Sequence, residues 1–174
     1  HYNKEKFKRF QNIKQRDELL IIARYDGDLK RSIVEIVDLN SFDVIHSYLP
    51  DINLINSKVD VSKEEFSNHL IQFSEKRHQM IHPLLLKDGS LIFNSGALTK
   101  IDFCGNLLWL NDEDGFHHSI EVDDDGNYWT STYMFPYALD KKLVGTQYGN
   151  FDDDAITKVS ESGKIIYSKS VAEI

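Results

Sequence analysis

One cysteine, three prolines and no long apolar run distinguish this 174-residue chain by what it does without. With Cys104 alone, no internal disulfide can form, which excludes a cysteine-rich secreted scaffold. Cys104 sits between Phe103 and Gly105 with no basic cluster to make it a thiolate, so it reads as structural or incidental. No stretch approaches the roughly 20 apolar residues that span a bilayer, and no membrane span is expected. Scarce proline and the lack of any Gly/Ser/Pro-rich stretch leave no linker to divide residues 1–174, which are taken as a single domain.

Positive charge is also in deficit. There are 20 basic against 28 acidic side chains, a net charge of −8, which argues against nucleic acid as a partner because phosphate binding needs a clustered basic surface. The first sixteen residues run the other way, with six Lys and Arg against Glu5 alone, and read as a solvated surface or arm. The chain opens His1-Tyr2-Asn3 without an initiator methionine or a charged-then-apolar leader, so its natural beginning is expected to lie upstream. Localisation cannot be read from such a start.

What is abundant is short β-runs broken by Asp-Gly, Gly-Asn and Ser-Gly turns. Leu19–Tyr25, Ser32–Leu39 and Asp43–Tyr48 make a three-stranded meander. Leu84–Phe93 is a hairpin about Asp88-Gly89, followed by strands at Ala97–Phe103 and Leu107–Leu110. Ser119–Val122, Tyr128–Ser131, Ala155–Val159 and Lys164–Tyr167 form a third group. The groups resemble one another: His82–Gly89 parallels His118–Gly126 with one loop residue added, and Ile101–Trp109 parallels Ile156–Tyr167. Repeats of about 40 residues holding four short strands are the sequence form of propeller blades. The expected fold is therefore all-β, a β-propeller fragment of about three four-stranded antiparallel blades, with blade-like segments at about 19–48, 82–110 and 118–168.

One segment departs from the β pattern. Ser62-Lys63-Glu64-Glu65 has the form of a capping box, and Phe66, Leu70 and Phe73 fall on one helical face. One inserted helix of about four turns is expected within about 62–77, covering apolar surface. Three blades are too few to close a ring of four to eight, because each sheet buries its faces only against neighbours. Either the chain is a fragment, or a homodimer completes or caps the propeller.

Candidate chemistry begins with His78, His82, His117 and His118. Both His82 and His118 immediately precede the first strand of a blade, and that strand is the innermost of a propeller blade. Equivalent positions in successive blades would bring both to one channel mouth, where imidazoles suit anion binding or proton transfer near neutral pH. The alternative is that each histidine only hydrogen-bonds a neighbouring blade.

The run His117–Asn127, paired histidines followed by an apolar strand and a D-G-N turn, resembles the bacterial arylsulfotransferase family, as does the acidic, turn, glycine, apolar-pair, tryptophan element of Ile101–Trp109. The resemblance extends over about residues 19–48 and 80–170. It implies a six-bladed propeller that transfers sulfate between phenols through a sulfohistidine. It carries over to His118, with His117, as the sulfate-binding or acid–base histidine. The family's nucleophilic histidine and arginine belong to later blades. The partner so implied is a phenolic sulfate or another small anionic ligand, with no cofactor, in an extracytoplasmic or periplasmic setting. A non-catalytic propeller binding a small molecule or protein on the same face is the alternative.

Other constellations carry less. Glu121, Asp123 and Asp125 imitate the start of a calcium loop, but Thr132 stands where its closing glutamate belongs, so solvated turn carboxylates are expected there, as at Asp112–Asp114 and Asp152–Asp154. His78 and His82 are four apart, a spacing that suits zinc on a helix, but Pro83 biases His82 away from helix. No metal is expected. Trp109 reads as core. Tyr133 and Tyr137, in the insertion after Thr132, are the ring-binding candidates.

Overall fold

The computed structural model describes residues 17–134, 137–138 and 152–174. The basic start lies outside the described residues, as does much of the insertion that follows Met134.

The chain is all-β and antiparallel, in two sheets. Strands β1 (Leu19–Asp26), β2 (Arg31–Asp38) and β3 (Val44–Tyr48) form the first, in the expected meander order. The second holds β4 (Ile81–Leu85), β5 (Leu91–Ile101), β6 (Leu107–Val122), β7 (Tyr128–Tyr133), β8 (Asp154–Val159) and β9 (Ile165–Ser170), each paired with the next in sequence. Two pairs of expected strands are each continuous. Leu91–Phe93 runs on through Ala97 as β5, and Leu107–Leu110 runs on to Val122 as β6, so one six-stranded sheet spans both segments.

β5 is the centre of the molecule because it is apolar on both faces. Leu91, Phe93 and Ile101 pack with Val34, Ile36 and Tyr48 of the first sheet, while Ile92 and Leu98 pack with Phe116, Ile120, Tyr128 and Val159. Alternating side chains of a strand point to opposite faces, so apolar residues at successive positions, as in Leu91-Ile92-Phe93 and Ala97-Leu98, are the pattern of a strand covered on both sides.

The turns explain the repeat signal. Residues 86–90, 102–106, 123–127 and 160–164 share one hydrogen-bond pattern: the first amide donates to the fifth carbonyl, and the amide of the fourth residue donates to the first carbonyl. The fourth residue is Gly89, Gly105, Gly126 or Gly163, with φ between 80° and 86°. This is a type I turn closed by a left-handed glycine, the three-residue hairpin loop that tolerates almost no other residue at that place. Asp88, Asp102, Asp123 and Ser160 each accept an amide within their turn.

The segment between the sheets differs from the single four-turn helix. It contains α1 (Ile52–Asn56), a 3-10 turn at Glu64–Phe66 and α2 (His69–Gln72). The capping box does not form, because the Ser62 hydroxyl donates instead to Asp60 Oδ1 at 2.6 Å, and Lys63 becomes the cap residue without a side-chain capping bond. The segment covers apolar surface as expected: Val59 and Phe66 bury against Ala97, and Phe73 and His69 close over Gly96.

Candidate functional site

His82 and His118 occupy equivalent backbone positions. Each interrupts the ladder at a register shift, His82 between Ile81 and Leu84 and His118 between His117 and Ile120. Each has a left-handed backbone, with φ of 46° and 62° respectively. Non-glycine residues in that region cost on the order of 1–2 kcal/mol, and β-bulges re-aim side chains next to functional sites. The repeat in sequence is therefore a repeat in local geometry, and both histidines are exposed.

Asn94 ties the two bulges together. It faces Ile81, the neighbour of His82, across the β4–β5 ladder, and its Nδ2 donates to the His118 carbonyl at 2.6 Å. Asn94 is fully buried, and its Oδ1 has no partner. Sequence reasoning missed it, although Asn94-Ser95 breaks the apolar run that begins at Leu91 and was the available signal.

Around His118 a compact aromatic group assembles. The His117 ring stacks on Tyr133, with centroids 4.2 Å apart and planes at 27°, and stands edge-on to His118 at 4.6 Å. His117 Nε2 lies 3.2 Å from Asp154 Oδ1 without hydrogen-bonding alignment, and neither ring nitrogen has a hydrogen-bond partner. Burial lowers the His117 pKa, and the Asp154 carboxylate opposes that shift without reversing it. The imidazole is thus neutral near neutral pH, the form that can accept a proton. Burial also raises the Tyr133 phenol above its usual value, with Asp152 and Asp154 adding to the effect.

The expected residues divide into separate places. His117, His118 and Tyr133 meet in one group. His82 lines a different cleft, with Arg24, Lys76, Arg77 and His78. Tyr137 is half-buried beside Ala138, whose amide donates to Asp153 Oδ2 at 2.7 Å. His78 is buried, ringed by Phe73 and Phe93, and its pKa is lowered to about 4 by burial, with Arg31 and His69 adding to the effect.

The acidic turns need one correction. Asp152–Asp154 is not uniformly solvated: Asp153 is fully buried, with Oδ1 accepting from Ser170 Oγ at 2.6 Å. The carboxylate is buried because these donors converge on it from the chain on both sides, which a reading of the turn by composition does not reveal. Asp154, missed as part of the same acidic run, is the carboxylate beside His117. Asp123 accepts from Lys158 Nζ at 2.8 Å, Trp129 Nε1 at 3.2 Å and the Asn127 amide at 2.9 Å. Its pKa is lowered to about 2, chiefly by Lys158. Trp129 is thereby engaged with the turn, and Trp109 packs on Gly163 beside the second core cluster.

The sequence profile of the arylsulfotransferase (ASST) family matches residues 82–174, just over half of the chain. The chain belongs to the arylsulfotransferase family. The matched part of this arylsulfotransferase-family chain starts at His82 and contains both histidine bulges, the His117–His118–Tyr133 group and all four glycine turns. The first meander, residues 19–48, lies outside the match. A comparison with curated proteins found no match. Among the described residues, no helix is long and apolar enough to cross a membrane.

Proposed function

We propose that this chain contributes the histidine-bearing part of a propeller that transfers sulfate between phenolic compounds. Its blade-like segments are about 19–48, 82–110 and 118–168, with the insertion of about 62–77 packed over them. The observation that carries the reading is the equivalence of His82 and His118: same bulge, same left-handed backbone, one repeat apart in a segment that the family profile matches.

In this reading His118 binds the sulfuryl group, and neutral His117 exchanges the proton. Transfer breaks the sulfur–oxygen bond to the donor phenol and forms one to the acceptor phenol. The acceptor hydroxyl must lose a proton, and the departing phenolate must gain one. A neutral imidazole held by stacking on Tyr133, beside Asp154, is suited to both. Positive charge and N–H donors fixed where charge grows on the sulfuryl oxygens stabilise the transition state. Tyr133, stacked on His117, supplies ring surface for the phenol.

The exposed apolar residues Leu19, Leu20 and Ile21 on edge strand β1, and Ile166 and Tyr167 on edge strand β9, support association with a second copy. Light scattering on the purified chain should give twice the monomer mass. A monodisperse monomer would overturn that part.

The test of the main reading is sulfate transfer from 4-nitrophenyl sulfate to a phenol acceptor. His118→Ala should lower the rate on the order of 10²-fold. Unchanged transfer in His118→Ala would overturn the role given to His118, and binding of the sulfate ester without transfer by a propeller that also holds the later-blade histidine and arginine would favour the non-catalytic binding reading.

A further inference from the structure

The cleft beside His82 lies almost wholly outside the segment matched to the family. It is a cavity of about 540 Å³ between β1, the start of β2 and residues 76–82, and its walls include Arg24, Tyr25, Lys76, Arg77, His78 and His82. None of its lining residues is a carboxylate, in a chain whose net charge is −8.

Its positive groups differ in availability. Arg24 is held by Glu35 through two bonds of 2.7 and 2.9 Å and by Asp26 at 3.0 Å, so its charge is matched and its position fixed. Lys76 and Arg77 are exposed, and among the described residues neither forms an ion pair. Below them, His78 is 1% exposed with neither ring nitrogen hydrogen-bonded. A buried polar group without a partner costs on the order of 1–3 kcal/mol. Ala23, Tyr25 and Ile81 add apolar wall. A cavity of this size suits a small organic molecule, with few polar groups fixing its orientation.

We propose that this cleft binds a small organic anion, whose oxyanion meets Lys76 and Arg77 and whose apolar body lies along Tyr25 and Ile81. The site is separate from the His117–His118 group and does not depend on the sulfate-transfer reading.

The test titrates phenyl phosphate into the full chain and follows amide chemical shifts, with inorganic phosphate as the comparison. Shifts should concentrate at Ala23–Tyr25 and Lys76–His82, and phenyl phosphate should bind at least about tenfold more tightly than inorganic phosphate. The double variant Lys76→Ala/Arg77→Ala, altered only at exposed positions, should weaken binding by at least about tenfold, while His118→Ala leaves it within about twofold. Equal affinity in the double variant would overturn the site. Equal affinity for inorganic phosphate would overturn the organic ligand, and shifts at His117 and His118 without shifts at Ala23–Tyr25 and Lys76–His82 would place the anion in the other site alone.

Discussion

Gly163 and Gly126 occupy the same place in the same turn, yet a methyl group would meet different surroundings at each. At Gly126, φ is 82° and an added Cβ touches nothing within 4 Å, so Gly126→Ala costs only the left-handed backbone, about 1 kcal/mol. At Gly163, φ is 86° and the Cβ would lie 2.7 Å from Trp109 Cδ2. The indole is held there by its Nε1 bond to the Glu161 carbonyl at 3.1 Å and cannot swing away freely. Overpacking of this kind adds about 1–3 kcal/mol. Urea unfolding should therefore rank Gly163→Ala clearly below Gly126→Ala, and equal midpoints would show that Trp109 moves aside. His117 offers a second test at this scale. Asp154 favours the imidazolium, so Asp154→Asn should lower the His117 pKa further below its ordinary value, in an NMR titration of the ring protons. An unchanged value would mean that solvent screens the exposed carboxylate from the ring.

The elements show how far patterning reaches. Every strand of the first meander and the turns of the second sheet were legible, because alternating or continuous apolar runs and Asp-Gly turns report local physics. The helical insertion was not, because its capping hydroxyl had a nearer acceptor at Asp60, and Phe66 and Phe73 pack on Ala97 and Gly96 while Leu70 stays exposed, so the three do not share one buried helical face. In the candidate site, the histidines and Tyr133 could be picked out as residue types. Asn94 showed only as a polar break and Asp154 only as part of an acidic run, since their roles exist once β5 lies beside β6 and β7 beside β8. The insertion is anchored through Lys63, 3.4 Å from Asp112 Oδ1, and through Phe66, which is 2% exposed. Phe66→Ala removes most of that buried contact, a change that costs about 3–5 kcal/mol where the whole fold must absorb it. Val59, Phe66 and Ala97 form a small cluster apart from the core that holds Ile52, Ile55 and Met80, so the loss should appear as local opening: faster amide exchange over 59–73, with β6 to β9 protected as before. Uniform acceleration across the second sheet would show instead that the insertion and the sheet unfold as one unit.

At the scale of the whole molecule, the buried histidines link stability to pH. His78 has a folded pKa of about 4 against an ordinary value of 6.5, and burial lowers His69 and His117 as well. A group that protonates less readily when folded favours the unfolded chain once the pH falls below its unfolded pKa. The His78 penalty therefore begins near pH 6.5, grows as the pH falls, and levels off below about 4, at about 3 kcal/mol. The aspartates with lowered values, Asp26, Asp88 and Asp123 (at about 2) among them, act in the same direction but at lower pH, where their carboxylates begin to protonate. The two sets thus separate: histidines act between about pH 6.5 and 4, and aspartates below. Leucine in place of His78 would face Phe73 and Phe93 and would leave no unpartnered ring nitrogen. His78→Leu should therefore unfold at no lower urea concentration than the parent at about pH 7, and its midpoint should fall less between about pH 6.5 and 4. The steep loss below about pH 4 should remain in both proteins. If the variant kept the parent's full slope above about pH 4, the proton uptake would belong to His69 or His117, and the neutral, buried state of His78 would not be what ties this fold to neutral pH.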